Sequence, residues 1–420
     1  MLDIKFIREN SELVKKACEN KRVNVDIDGL LELDKKRKIF FQEIDELRKT
    51  KNNIAEEIKK DFSKKDSLIQ KGKSIREEIS ELEKESKEIE KKFNNLIMQI
   101  PNIPLLDVKI GRGEEDNEIL RHEGKIPQFN FKPQNYIELA ENLDLIDTKR
   151  ATKVSGSRFG YLKNEAALLE FALIQFVFQN LIKKNFIPII PPIMVKRPAM
   201  EAMGYLTRGE EEIYYLPKDE LYLVGTSEQS IGPMHCDEIL EEKSLPKRYL
   251  GFSSCFRREA GSYGKDTKGI LRVHQFDKVE MFSFCNPKNS EKEHAFFLSI
   301  EEKIVQILKI PYRVIKMCTG DLGDSAAKKF DLEAWLPGQN EFREITSTSN
   351  CTDFQARRLN IRYRDKSGKL NFVHTLNGTA FAIGRIIIAI LENYQQKDGS
   401  IKIPEALQPY MNEMDIIKLT

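Results

Sequence analysis

No C-x-x-C pair and no H-x-x-x-H pair occurs in the chain. The cysteines (Cys18, Cys236, Cys255, Cys285, Cys318, Cys351) stand singly, which fits free thiols in a reducing compartment and not a disulfide framework. No histidine clusters with them, so no structural zinc is expected. Long uncharged apolar runs are lacking too. The closest, AFAIGRIIIAIL, is short and carries Arg385, so no bilayer span and no membrane partner are expected. MLDIKFIREN at the N-terminus has no signal-peptide pattern, and a soluble, cytoplasmic protein is expected. The phosphate loops of parallel nucleotide folds, G-x-x-x-x-G-K-[ST] and G-x-G-x-x-G, are absent at any strand–helix junction. Charge of one sign is missing as well. Lys+Arg 68 stand against Asp+Glu 66, a net of +2, so a basic surface must be local.

What is present divides the chain into two grammars. A length of 420 residues suggests two domains, and a 40% apolar share suffices for a substantial core. From Leu30 to Ile100 the sequence is rich in Lys and Glu, without proline. Apolar residues recur at 40, 44, 47, 54 and 58, and again at 68, 75, 79, 82, 89, 93, 96 and 100. The steps of three and four are those of a coiled-coil seam, interrupted at Lys51, Gly72 and Ser86. Asp61–Asp66 is the one plausible turn between the two runs, so an antiparallel hairpin of long helices is expected. Its tip is basic (Lys59, Lys60, Lys64, Lys65, Lys71, Lys73, Arg76), and residues 77–90 are acidic. Such a pattern is either a solvated face laced with ion pairs or a phosphate contact.

Closely spaced prolines in IPNIP (100–104) end the hairpin. Short β-type runs separated by helices follow, without a regular β-helix-β beat. The fold class is therefore read as α+β: an antiparallel β-sheet core flanked by helices, at residues 105–420, plus the N-terminal coiled-coil hairpin at 1–104.

Four stretches carry candidate chemistry. In FRREAGSYGKDTKGILRVHQF (256–276) a Gly- and Lys-rich loop predicts antiparallel flanking strands. Alternation then sets Arg272, His274, Phe276, Lys278 and Glu280 on one face, if no bulge intervenes, with Arg257 alongside. Two guanidiniums suit phosphates, Phe276 suits a base, and Glu280 can hold an ammonium group. The plainer reading is cross-strand pairing around a core phenylalanine. In REITSTSNCTDFQARR (343–358), Glu344 and Ser347 can ligate Mg2+ only if the strand ends or bulges between them. The plainer reading is a polar strand end. In NGTAFAIGRIIIAILENYQ (377–396), Arg385 sits in a helix apolar nearly all round and needs an anion. Asn377 and Thr379 are read as helix caps or as ligand-facing side chains. VGTSEQ (224–229) offers Thr226 and Glu228, a weak signal alone.

Together these residues resemble a known family. Phe256-Arg257-Arg258-Glu259 leading to Arg272-x-x-x-Phe276 resembles motif 2 of the class II aminoacyl-tRNA synthetases. Gly384-Arg385 looks like motif 3, and FIPIIPPIMV, with Pro191, like the dimer-building motif 1. TSE at 226–228, HQFDKVEMF, FREITSTSNCTDFQARR, NGTAFAIGR and the hairpin are together similar to seryl-tRNA synthetases of the bacterial type, over essentially the whole chain. The resemblance implies that ATP is held by Arg257, Arg258, Glu259, Arg272, Val273, Phe276, Glu344, Ile345, Thr346, Ser347 and Arg385. It makes Arg257, Arg272 and Arg385 the catalytic cations, and Glu344 and Ser347 the Mg2+ ligands. It implies that serine is lined by Thr226, Ser227, Glu228, Arg257, Glu280, Asn377 and Thr379. It further implies a homodimer whose arm grips the long variable arm of tRNA(Ser), with tRNA(Sec) as a second acceptor.

The implied chemistry is attack of the serine carboxylate on the α-phosphorus, then transfer to the terminal ribose of tRNA. An ionised carboxylate needs no general base, which accounts for arginines and no catalytic triad. Two other readings remain: a synthetase-like paralogue charging another carrier, and a non-catalytic coiled-coil tether. The basic hairpin speaks against the first, and Arg257, Arg272, Glu280, Glu344 and Arg385 together against the second.

Overall fold

The computed structural model describes residues 1–60, 65–260, 266 and 268–419. Most of the expected Asp61–Asp66 turn, Lys64 included, lies outside the described residues. So do residues 261–265 and 267 of the loop between Arg257 and Arg272. The chain forms two compact units, Met1–Pro101 and Asn102–Thr420.

In the first unit, α1 (Ile27–Lys60) and α2 (Lys65–Gln99) have 34 and 35 residues, each about 50 Å long at the rise of an α-helix. Arg37 pairs with Glu90 and Arg48 with Glu83, so positions rise along one helix as they fall along the other. That is an antiparallel hairpin. Ile44 and Ile54 on α1, and Ile75, Ile79, Phe93 and Ile97 on α2, are buried, while most flanking positions are exposed. The three–four spacing therefore marks the seam. Arg37 also lies over the Phe93 ring, 4.0 Å from its centre.

The second unit is built on eight strands: β1 (Glu118–Glu123), β2 (Phe186–Ile189), β3 (Lys247–Phe256), β4 (Gln275–Cys285), β5 (Tyr312–Lys316), β6 (Lys328–Leu336), β7 (Glu341–Asn350) and β8 (His374–Ala382). Their order across the sheet is β1-β5-β6-β7-β8-β4-β3-β2. Every neighbouring pair is antiparallel except β2 with β3, which is parallel. Helices α3 (Tyr136–Asn142), α4 (Asn164–Ile182), α5 (Ser290–Ile307) and α6 (Ile383–Asn393) share one apolar core with Val279, Met281 and Phe381 of the strands. On the other face of β4, Phe282 and Phe284 join a second core with Met203, Ile231 and Tyr249. That cover stops at Phe282, leaving Phe276, Lys278 and Glu280 of the same face outside it.

Three expectations change. Asn377 and Thr379 do not cap α6: they lie inside β8, and the N-cap position is Ala382. Strand β8 can run on because its residues pair with both β4 and β7. Arg272 and His274 lie before β4 and not on it. The N–H of His274 donates to Arg158 O at 2.9 Å, outside the ladder, so the strand opens at Gln275. Among the described residues, the helix nearest in length and apolarity to a membrane span is Asn164–Ile182, not AFAIGRIIIAIL. Its Leu169, Leu173, Phe176, Val177 and Leu181 are buried in the core, which makes it a core helix of this unit.

Ile79 packs with Ile54 and Ile75 in the arm. Ile79→Ala should destabilise the hairpin by about 2–4 kcal/mol, read as an earlier loss of helical circular dichroism in urea.

Candidate active site

The floor of the site is β4. Alternation turns Phe276, Lys278 and Glu280 to one face, and Val279 and Met281 to the core. Lys278 and Glu280 are buried and form an ion pair of 2.5 Å. Opposite Glu280 on the β8 side stands Thr379, whose hydroxyl donates to Glu280 Oε2 at 3.1 Å. A bulge makes this pairing possible. Val279 faces Phe381 and Glu280 faces Thr379, so β8 carries one extra residue there. Phe381 thus turns to the core while Thr379 turns to the site. Asn377, opposite Phe282, shares the face of Thr379.

Opposite Glu280 on the other side is Gly251. A Cβ there would strike Ile231 and crowd Ser227 Oγ, so glycine lets the TSE segment lie against the strand. The segment is also tied at its start. Val224 O accepts the N–H of Phe256 at 2.8 Å, and Gly225 O accepts Arg257 Nε at 3.3 Å. Thr226, Ser227 and Glu228 are all buried. Burial, with Glu280 nearby, pushes Glu228 up to about 7 against the pull of Lys278. Tyr205 donates to Glu228 Oε1 at 2.6 Å.

Arg257 follows the last residue of β3, and its N–H reaches His274 O at 2.9 Å. Its guanidinium carbon stands 5.2 Å from the centre of the Phe276 ring. Arg258 turns to Tyr214, 5.7 Å from that ring's centre. Glu259 pairs with Arg272 at 3.1 Å, while Arg272 Nε is buried with no hydrogen-bond partner among the described residues. The rest of the guanidinium is open, the side chain being 35% exposed, and can take a further anion.

Glu344 and Ser347 do share a face. On β6, Glu333 pairs with Glu344 and Asp331 with Ser347, and the register shifts between them. Glu333 and Asp331 are two residues apart, so they share a face and their partners do too. Ile345 is the extra residue, buried in the core, and Thr346 also turns inward to donate to Glu301 at 3.0 Å. Val273 is likewise a core side chain. At these three positions only the main chain remains for a ligand. Arg385 Nη1 meets Glu344 O at 2.9 Å and its carboxylate at 3.2 Å. The anion that Arg385 needed is therefore Glu344. Burial alone would raise Glu344, but Arg385, Lys329 and Arg257 outweigh it and hold the carboxyl at about 2. Nearly half of the side chain is exposed at the rim, so that charge is available.

Two further residues join the candidate site in the fold, Lys278 and Tyr205. Alternation sets Lys278 on the face of Glu280, and a charge two residues from Glu280 on that face is its signal. Tyr205 gave no local signal, since only folding brings it to Glu228. The cleft so formed has carboxylates at Glu228 and Glu280 and a cation at Arg257 beside an aromatic ring, with Arg385 bound to Glu344 and Arg272 paired with Glu259. It suits a zwitterion next to a polyphosphate. Among the described residues, no three His, Cys, Asp or Glu side chains converge as a metal site. Glu344 and Ser347 nonetheless fit Mg2+, an oxygen-seeking ion that takes few protein ligands and completes its shell with phosphates and water.

Residues 1–104 match the seryl-tRNA synthetase N-terminal domain, and residues 214–394 match the class II tRNA synthetase core domain (G, H, P, S and T). A serine–tRNA ligase of Dictyoglomus turgidum is 48% identical, over 99% of both chains. A seryl-tRNA synthetase from Pyrococcus horikoshii, solved with ATP, superimposes with a TM-score of 0.92 at 44% identity, covering 100% of both chains. A cytoplasmic serine–tRNA ligase from Naegleria fowleri, solved with AMP, gives 0.88 at 35% identity, covering 100% of this chain and 99% of its own.

Arg385→Ala should release Glu344 from about 2 toward or above the ordinary carboxylate range. Carboxyl-carbon NMR titration reads this directly, and an unmoved value would remove Arg385 as the cause.

Proposed function

The chain belongs to the seryl-tRNA synthetase family, and from that premise we propose how its residues divide the work. The reaction is that of a serine–tRNA ligase: serine is activated with ATP to seryl-adenylate, and the seryl group passes to the 3′ end of tRNA(Ser). The observation that carries the residue assignment is the row Phe276, Lys278, Glu280 on one face of β4, with Arg257 over the first and Thr379 bonded to the last.

In this reading the serine ammonium lies by Glu228 and Glu280, its hydroxyl among Glu280, Asn377 and Thr379, and its carboxylate by Arg257. A cleft that hydrogen-bonds a hydroxyl rejects alanine, because its polar groups would be left buried and unpaired. Adenine stacks on Phe276, and Arg272 and Arg385 take the outer phosphates. Arg385 then exchanges the Glu344 carboxylate for phosphate. Glu344 and Ser347 would hold Mg2+, which supplies charge neutralisation on the phosphates. Arg257 brings the serine carboxylate oxygen to the α-phosphorus and stabilises the charge there as a P–O bond forms. The bond to the bridging oxygen breaks and pyrophosphate leaves. In the second step the terminal ribose hydroxyl of tRNA attacks the seryl carbonyl, the carbonyl–oxygen bond to the phosphate breaks, and AMP leaves with the hydroxyl proton on its phosphate. The catalysis is positioning and charge stabilisation.

Three partner assignments complete the proposal. Residues 1–104 are the tRNA-binding unit: Lys59, Lys60, Lys65, Lys71, Lys73 and Arg76 are all exposed, and their charge suits the phosphates of a long variable arm. Recognition of that kind follows shape and backbone more than base sequence, and we extend it to tRNA(Sec). Residues 105–420 are the catalytic unit, pairing with a second copy through α4 and the edge strand β2. Phe171 on α4 and Ile190 just after β2 are 70% and 83% exposed, and Leu168, Ile182 and Ile187 beside them are exposed as well. The place of work is the cytoplasm.

The deciding experiment is ATP–pyrophosphate exchange with each amino acid and no tRNA, where serine alone should support exchange. Because Glu228 titrates near 7, protonation below that pH removes the charge facing the ammonium. The KM for serine should therefore rise as pH falls through about 7, and Glu228→Gln should flatten that rise. For the arm, replacing Lys71, Lys73 and Arg76 by alanine should raise the KM for tRNA and lower the log–log salt slope by about 2–3. Exchange with serine should be unchanged; a parallel loss of exchange would count against a dedicated RNA contact.

A further inference from the structure

Arg272 and Arg385 stand on separate segments of the chain, and one tyrosine touches the supports of both. Tyr136 opens α3, whose N-terminus is capped by Asn135 Oδ1 accepting from Ile137 and Glu138. The Tyr136 N–H donates to Glu392 Oε1 at 3.0 Å. Glu392 lies on α6 seven residues beyond Arg385, about two turns along the same helix face. Its second oxygen accepts the N–H of Gly338 at 2.8 Å, which fixes the carboxylate from the other side.

The far end of the side chain holds the return limb of the loop. Tyr136 Oη accepts the N–H of Ile270 at 3.1 Å and of Leu271 at 3.3 Å, and donates to Lys268 O at 3.3 Å. A hydroxyl has one proton and two lone pairs, so this one is fully used. Gly269, between these residues, has φ +72°, and a Cβ there would collide with Oη. The limb closes over the hydroxyl because position 269 has no side chain. Tyr136 is only 3% exposed.

We infer that Tyr136 is a positioning residue for ATP: it fixes the limb Lys268–Leu271, and with it Arg272, to the helix that carries Arg385. Burial pushes its phenol up to about 12, so the proton that goes to Lys268 O stays in place throughout the working range. The spacing between the two guanidiniums is thereby set before ATP arrives. The inference rests on the reading of both arginines as phosphate ligands, whereas the clamp itself does not depend on it.

Tyr136→Phe keeps the ring and removes all three bonds of the hydroxyl. Amide exchange in a peptide spanning Ile270–Arg272 should accelerate about tenfold or more. In serine-dependent pyrophosphate exchange the KM for ATP should rise about tenfold while the KM for serine stays within about twofold. Gly269→Ala, which keeps the hydroxyl but drives the limb off it, should give the same ATP-selective pattern. Unchanged amide exchange, or an unchanged KM for ATP in both variants, overturns the inference. Equal rises in both KM values with a lowered Tm also overturn it, since Tyr136 would then be an ordinary core tyrosine. If the wild-type chain showed no serine-dependent exchange, the functional reading would fail instead. ATP affinity by calorimetry, alongside the amide exchange, would then decide for or against the clamp.

Discussion

A β-strand turns successive side chains to opposite faces, and this cleft depends on two places where the chain interrupts that alternation. In β7 the extra residue Ile345 brings Glu344 and Ser347, three positions apart, onto one face. In β8 an extra residue lets Thr379 face Glu280 while Phe381, two positions on, fills the core. Without the first bulge, Glu344 and Ser347 could not both point into the cleft. Without the second, either the core would lose an aromatic ring or Glu280 its hydroxyl partner. Both bulges lie where the sheet changes from packing to chemistry, a common place for them.

The charges obey a related logic. Buried carboxylates are costly unless paired or protonated. Glu228 is raised by burial and by Glu280, while Lys278 is the cation that keeps two neighbouring acids tolerable without ligand. Glu344, at the rim, is held ionised by arginine and lysine. Behind the sheet, burial pushes Glu301 well above the usual carboxylate range, and its carboxyl accepts from Thr346. Carboxyls on and around one sheet are thus raised at Glu228 and Glu301 and lowered at Glu344, each set by its surroundings and not by its residue type.

Much of this was legible in the sequence. The hairpin could be read because its seam is a local, periodic pattern, and the exposed and buried positions of α1 and α2 follow it. The β3–β4 pairing followed from a loop rich in glycine flanked by alternating runs. The family was legible because its motifs are contiguous stretches, including residues such as Arg257 and Arg385 that no core would require together.

The sequence by itself determined the two-part organisation, the antiparallel sheet and the candidate-site stretch around Phe276 and Glu280. Local periodicity and short motifs specify such features. Only the tertiary structure decided that Arg272 leaves the strand, that Asn377 and Thr379 belong to β8, and that Glu344 and Ser347 meet. It also brought Tyr205 to Glu228 and Tyr136 to both Ile270 and Glu392. The physical reason is that bulges and long-range hydrogen bonds depend on the partner strand or helix opposite. A partner more than a hundred residues away leaves no periodic trace in the segment it shapes.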